Sequence, residues 1–229
     1  MLPAFPRIKH LPYSPNMGTG DVMADFKEIE GILSNSVIVE EKIDGSSCGM
    51  MYDGNAIIRN KDHILKKGYL KNTPAKLQFR PAWNWLYDNK DKFIELNKIF
   101  GYPVGVYGEW VYAVHGLIYD KLPSLFIAYE VYDPEFFTLL EPKKSRKVLA
   151  ESGFCIPYLI FEGRMDVDMI EIWSQEQSFY STSQKREGII VKTSNERFKK
   201  VRSDFVQGAL WDKKELKKQY IRDDIQRMV

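Results

Sequence analysis

Cysteine is nearly missing: only Cys48 and Cys155 occur in 229 residues. Two distant thiols make neither a disulfide framework nor a zinc-ligand spacing. Both read as small packing residues in a reducing compartment, the cytoplasm or another intracellular one. Long apolar runs are missing too. No stretch reaches the roughly 18 residues of a membrane span, and the N-terminal M-L-P-A-F-P-R has no signal-peptide core. A soluble protein, not secreted and not in a membrane, is expected. Neither sign of charge is in excess: 33 basic against 31 acidic residues leave +2, which excludes any argument from bulk charge. Neither a G-x-G-x-x-G fingerprint nor a G-x-x-x-x-G-K-[ST] loop is present, so any nucleotide would have to be held by another arrangement. No internal repeat, low-complexity segment or linker divides the chain.

What is present suffices for a sizeable core. Hydrophobic residues make up 44% and aromatics 14%, enough to supply both the core and the wall of a site. The length fits one large domain or two small ones. The cations are unevenly spread. Arg59, Lys61, Lys66, Lys67, Lys71 and Lys76 stand against Asp62 alone in residues 59–76, and residues 199–229 hold nine basic and five acidic side chains. Solvated surface is one reading of both runs, and contact with a phosphate backbone is the other.

Patterning gives strands interspersed with helices. Residues 25–32 suit a short helix or strand. Residues 49–59 read as a hairpin turning at Asp53-Gly54-Asn55. Thr73 and Pro74 open a helix running toward Tyr87. Residues 91–100 place Phe93, Leu96 and Phe100 on one helical face, and Gly101 stops that helix. Strand patterns cover 104–113, 125–133, 186–193 and 197–206, with helices after Pro142 and over 167–173. Asp212 and Glu215 form a capping box for a last helix, on which Leu216, Tyr220, Ile225 and Met228 recur. The set predicts a mixed α+β fold of mostly antiparallel sheets flanked by helices, with residues 1–206 as one domain and 207–229 as a short helical element.

The chain is organised around residues 37–49, V-I-V-E-E-K-I-D-G-S-S-C-G. Val37 to Glu41 have strand character, Lys42 follows at the strand end, and Gly45 marks a turn after Asp44. Lysine is a poor choice for a buried strand end unless its amine has work. Once deprotonated it is a nucleophile. Four further segments follow in order: Y-G-E at 107–109, the aromatic strand at 125–133, E-G-I-I-V-K at 187–192, and K-V-R at 200–202.

Together these five segments resemble the covalent nucleotidyltransferases, the group of ATP-dependent RNA and DNA ligases and GTP-dependent mRNA capping enzymes. The resemblance covers residues 37–206 and is strongest to RNA ligases of the ligase-2 and editing-ligase type, catalytic domain only. K-x-D-G alone would be weak; the ordered set is specific. One departure is Ser47, where DNA ligases and capping enzymes have arginine and ligase-2-type enzymes often have asparagine. The resemblance implies a role for each residue. Lys42 would attack the nucleotide α-phosphate, with Glu41 beside it in the adenine pocket and Asp44 and Gly45 completing the motif. Arg59 would lie near ribose and phosphates. Glu109 would sit beneath the nucleotide near the lysine or metal, and Phe126 would stack on the base. Glu187 would help place metal. Lys200 and Arg202 would fill the basic positions of the last motif, with Lys192 also in reach of phosphate. The choice of Lys200 over Lys199 follows strict strand alternation, which puts Phe198, Lys200 and Arg202 on one face. His63 and His115 have no metal-ligand spacing and receive no role.

Elementary electrostatics adds a constraint. Deprotonating an ordinary lysine near pH 7.4 costs roughly 4 kcal/mol. Neighbouring carboxylates raise that cost and neighbouring cations lower it. Acids at Asp44, Glu109 and Glu187 therefore make sense with a divalent cation, Mg²⁺ or Mn²⁺, with Glu109 and Glu187 as its ligands. The expected activity is ATP-dependent joining of 5′-phosphate and 3′-hydroxyl ends through a lysyl-AMP, on RNA first and DNA second. A GTP-dependent capping enzyme and an inactive nucleotide- or nucleic-acid-binding module are the alternatives. Only about 27 residues follow the last motif, too few for an appended oligonucleotide-binding barrel, so either the helix from Asp212 is the whole accessory element or an accessory subunit supplies substrate grip.

Overall fold

Alternation in V-I-V-E-E-K sets the frame. Val37 and Val39 face a buried apolar cluster, and Ile38, Glu40 and Lys42 face the opposite way. The computed structural model describes residues 2–14, 17, 20–68, 70 and 72–219. Its elements are, in order, β1 (Lys9–His10), α1 (Phe26–Ser34), β2 (Val37–Lys42), β3 (Ser46–Tyr52), β4 (Ala56–Asn60), α2 (Pro74–Leu77), α3 (Ala82–Asp88), α4 (Lys90–Phe100), β5 (Gly105–Trp110), β6 (Phe126–Asp133), β7 (Thr138–Leu139), α5 (Pro142–Glu151), β8 (Leu159–Gly163), α6 (Val167–Ser174), β9 (Gly188–Lys192) and β10 (Arg197–Val201).

Two five-stranded sheets result, ordered β1-β10-β9-β2-β8 and β4-β3-β5-β6-β7. Among the described residues every pairing between these strands is antiparallel except β1 with β10. Helices α1 and α6 cover the outer face of the first sheet through Ile32, Ile170 and Trp173. Helices α3, α4 and α5 cover the second through Trp85, Phe93 and Leu149. The chain crosses between the sheets at Ile43-Asp44-Gly45, so Lys42 ends one sheet and Ser46 begins the other. Gly45 is required at that crossing, because a Cβ there would stand 2.8 Å from the Trp110 carbonyl oxygen. No helix among the described residues is long and apolar enough to cross a membrane.

Most expected elements are present, with three differences. The helix expected from Thr73 toward Tyr87 is two helices, because Pro81 has no N–H to continue the ladder to Leu77. The strand expected over 197–206 ends at Val201, where its partner β9 begins at Gly188. The last helix does not start at Asp212. Its carboxylate instead accepts from the Lys214 and Glu215 N–H groups in a turn, and no helix forms through residue 219. Lys71 and residues 220–229, including Tyr220, Ile225 and Met228, lie outside the described residues.

Candidate active site

Between the inner faces of the two sheets lies a cleft of about 550 Å³. The first sheet contributes Glu40 and Lys42 from β2, Ile190 and Lys192 from β9, and Arg197 and Lys199 from β10. Register explains the set: Glu40 pairs with Ile190, Lys192 with Arg197, and Ile190 with Lys199, and directly paired residues share a face. The second sheet contributes Ser47, Glu109 and Tyr129.

Lys42 stands at the cleft floor, with 21% of its side chain exposed, so its amine remains reachable. Nζ donates to Glu187 Oε2 at 2.6 Å. Burial alone would lower its pKa, but Glu187, Glu109 and Asp44 together outweigh burial and raise it. The resting amine is therefore an ammonium. The acids show the complementary effect. Burial pushes Glu109 up to about 8, against the pull of Lys42 and with the help of Glu187 and Asp44. Burial likewise pushes Glu187 up to about 7, with Lys42 opposing.

Among the described residues no three His, Cys, Asp or Glu side chains form a ready cation cage. Two buried, destabilised carboxylates still fit a hard cation, because Mg²⁺ takes one or two carboxylates and completes its shell with phosphate oxygens and water. Glu109 and Glu187 satisfy that description. Asp44 does not, since its Oδ2 accepts from the N–H groups of Gly116 at 2.6 Å and Leu117 at 2.8 Å. Asp44 is a positioning residue that holds the loop after β5.

Several other assignments need correction. Lys200 lies on the outer face of β10, beside Phe198. Its Nζ donates to the Pro12 carbonyl at 3.0 Å and pairs with Glu171 at 2.9 Å. Lys199 is the cleft lysine, 3.5 Å from Asp21. Burial and Lys42 lower its pKa. Arg202 is also turned away, donating to the Arg186 carbonyl and pairing with Asp204 at 2.5 Å. Glu41 points outward from β2, where its carboxylate accepts from the Ser178 hydroxyl and the Phe179 N–H. Phe126 is fully buried against Trp85 in the core. The β6 aromatic that lines the cleft is Tyr129, on the strand face opposite buried Phe126, and a bulge leaves it unpaired, with Tyr107 opposite Glu130 and Gly108 opposite Ala128. Arg59 lies near the cleft, but its guanidinium donates to the Leu2 carbonyl at 2.8 Å and the Asn60 carbonyl at 3.1 Å. Lys192 does line the cleft. It is clamped between Glu40 at 2.7 Å and Glu130 at 3.0 Å, and these acids outweigh burial to raise its pKa.

Sequence reasoning missed Glu40, Tyr129, Ile190 and Lys199, and also the N-terminal segment. Counting back from Lys42 by twos finds Glu40. Recognising Phe198 as a core residue would have put Lys200 on the core face and selected Lys199. Nothing in the sequence announced that residues 2–8 cross both sheets. There the Tyr107 hydroxyl donates to the Pro3 carbonyl at 2.5 Å, and the Phe5 ring packs on Tyr107 and Tyr129 at the cleft mouth.

Paired antiparallel sheets with outer helices, and a lysine at the seam between them, define the ligase adenylation type of nucleotidyltransferase fold. The sequence profile of the RNA ligase family matches residues 35–206, and the chain belongs to that family. Among solved structures, Naegleria gruberi RNA ligase with PPi aligns with a TM-score of 0.57 and 15% identity, over 88% of this chain and 61% of that one. A variant of the same ligase in apo form gives 0.58 and 16%, over 77% of this chain and 52% of that one. Another variant, with ATP and Mn, gives 0.57 and 16%, over the same shares. At these identities the likeness is one of fold. The chain spans about half the length of the first-named apo variant. No curated protein matches.

Proposed function

We propose that this chain is an ATP-dependent RNA ligase of the ligase-2 or editing-ligase type, with residues 1–206 as its adenylation domain and residues 207–229 as an accessory element. The observation that carries the reading is Lys42 at the floor of an open cleft, hydrogen-bonded to Glu187 and within the field of Glu109. The Lys42 amine would attack the α-phosphorus of ATP. A P–N bond forms, the P–O bond to the leaving pyrophosphate breaks, and AMP stays on the lysine. AMP then passes to a 5′-phosphate end, and a 3′-hydroxyl displaces it to seal the strand.

The chain's own residues supply the supporting parts. Tyr129 and Ile190 line the cleft and are the candidate surfaces for a base. Lys199 and Lys42 bring positive charge to the phosphates, and Lys192 adds a third cation from the cleft floor. Glu109 and Glu187 would hold Mg²⁺ or Mn²⁺, which supplies charge to neutralise the phosphates and the carboxylates around the amine. That neutralisation removes what keeps Lys42 protonated. Lys61 and Lys76, which line the cleft, and Lys66 and Lys67 from the same basic run are the candidate contacts to the polynucleotide backbone.

The test is covalent labelling. Protein freed of nucleotide is incubated with α-labelled ATP or GTP and Mg²⁺ or Mn²⁺, then denatured. Acid-labile label from ATP that disappears in Lys42→Ala is expected. Label from GTP would move the assignment to a capping enzyme, and no label from either would make the chain a binding module.

A further inference from the structure

His115 stands in the cleft wall and has no part in the chemistry above. It is held from three sides. Asp44 grips the N–H groups of Gly116 and Leu117 beside it. Phe205 fills the space that a side chain at residue 116 would need, 2.7 Å from an added Cβ. Trp211 lies against the imidazole with centroids 4.7 Å apart, and its neighbour Leu210 donates its N–H to the His115 carbonyl at 2.9 Å. So fixed, the ring brings Nε2 to 3.2 Å from Gln78 Oε1 and 3.4 Å from Ser46 Oγ. The Ser46 hydroxyl donates to the same Gln78 oxygen at 3.1 Å. Gln78 is anchored in turn by Trp110, whose indole N–H donates to its carbonyl at 2.6 Å.

Three neutral polar groups thus converge in a cleft that also holds Lys42, Lys61 and Lys76. Burial keeps the imidazole below its ordinary value, against Asp44 and with the help of the Lys42 ammonium. Lys61 and Lys76 line the same cleft. Neutral donors and acceptors in a tight group suit a hydroxylated, uncharged ligand, because a phosphate would go to the lysines. Joining two polynucleotide ends requires such a ligand beside Lys42: the terminal ribose whose 3′-hydroxyl attacks.

Resting on the ligase reading, we propose that Ser46, Gln78 and His115 form the acceptor subsite and read the vicinal 2′,3′-diol of an RNA end. The 2′-hydroxyl is the group that separates RNA from DNA at a single site. A site built to hydrogen-bond a hydroxyl leaves its own polar groups unpaired when the analogue lacks it.

The experiment uses RNA donors already carrying 5′-linked AMP, so that only sealing is read. Acceptors end in ribose or 2′-deoxyribose. Wild type, His115→Ala and Ser46→Ala are compared, with self-labelling by ATP in parallel. Wild type should seal the ribose end faster by about tenfold or more, the scale of one or two lost hydrogen bonds. In each variant this preference should shrink to about twofold, and sealing should fall by much more than labelling. Ser46→Ala removes a single oxygen and guards against a folding defect in His115→Ala. Preference absent in wild type, or retained in both variants, overturns the subsite. Labelling and sealing that fall together in both variants make the cluster structural and also overturn it, as does a wild type that labels but joins neither acceptor. A wild type that takes no label overturns the ligase reading itself, and the subsite with it.

Discussion

At the scale of single residues, the cleft holds its charges in tension. Lys42 is kept protonated by acids that burial has itself made reluctant to ionise. Glu109 gives this a measurable consequence. Its carboxyl is raised from 4.5 to about 8 by burial, so the folded state keeps a proton that the unfolded chain has lost. Stability from this group is complete below about 4.5 and is lost as pH rises through about 8. Thermal unfolding of the nucleotide-free protein should therefore show a midpoint that falls across that window. Glu109→Gln, which stays neutral throughout, should flatten the fall. A wild-type midpoint that rises with pH over the same range would contradict the assignment.

At the scale of elements, the question is which face of a strand a residue occupies. Strand positions were legible because alternation and turn chemistry report them directly: Lys42 at the end of β2, Glu109 on β5 and Glu187 before β9 all fall at the cleft. Which face meets the core was not legible. Phe126 and Tyr129, three apart on β6, fall on opposite faces by plain alternation, and Phe126 takes the core side where Gly108 leaves room for its ring, an added Cβ there standing 2.5 Å from it. That close approach is a tertiary fact that no local pattern carries. On β10 the pattern is regular, and its parity is set by Phe198, which is buried on the outer face and takes Lys200 with it. The two adjacent lysines should therefore separate in function. Lys199→Ala should cut self-labelling by about a hundredfold, the scale of a lost charge contact to the reacting phosphates. Lys200→Ala should instead lower stability by about 1–3 kcal/mol, because the Pro12 carbonyl and Glu171 lose their partner. Labelling with unfolding curves for both variants checks the pair, and reversed phenotypes would restore the original assignment.

At the scale of the molecule, the N-terminal segment closes the structure. Leu2 is fully buried against Gly105, while Arg59 and Tyr107 hold the Leu2 and Pro3 carbonyls. Leu2→Ala should cost about 2–4 kcal/mol, as for a leucine in a packed core. Denaturant unfolding measures it, and a change within about 0.5 kcal/mol would show that the segment is dispensable.

Lys42 and its two acids belong to different parts of this frame. Glu187 precedes Gly188, the direct strand partner of Lys42, so that pair moves as one body with the first sheet. Glu109 rides on the second sheet. Widening or narrowing the gap between the sheets changes the distance from the amine to Glu109 while leaving its distance to Glu187 fixed. Any change in that gap would therefore reach the amine's basicity through Glu109 and not through Glu187.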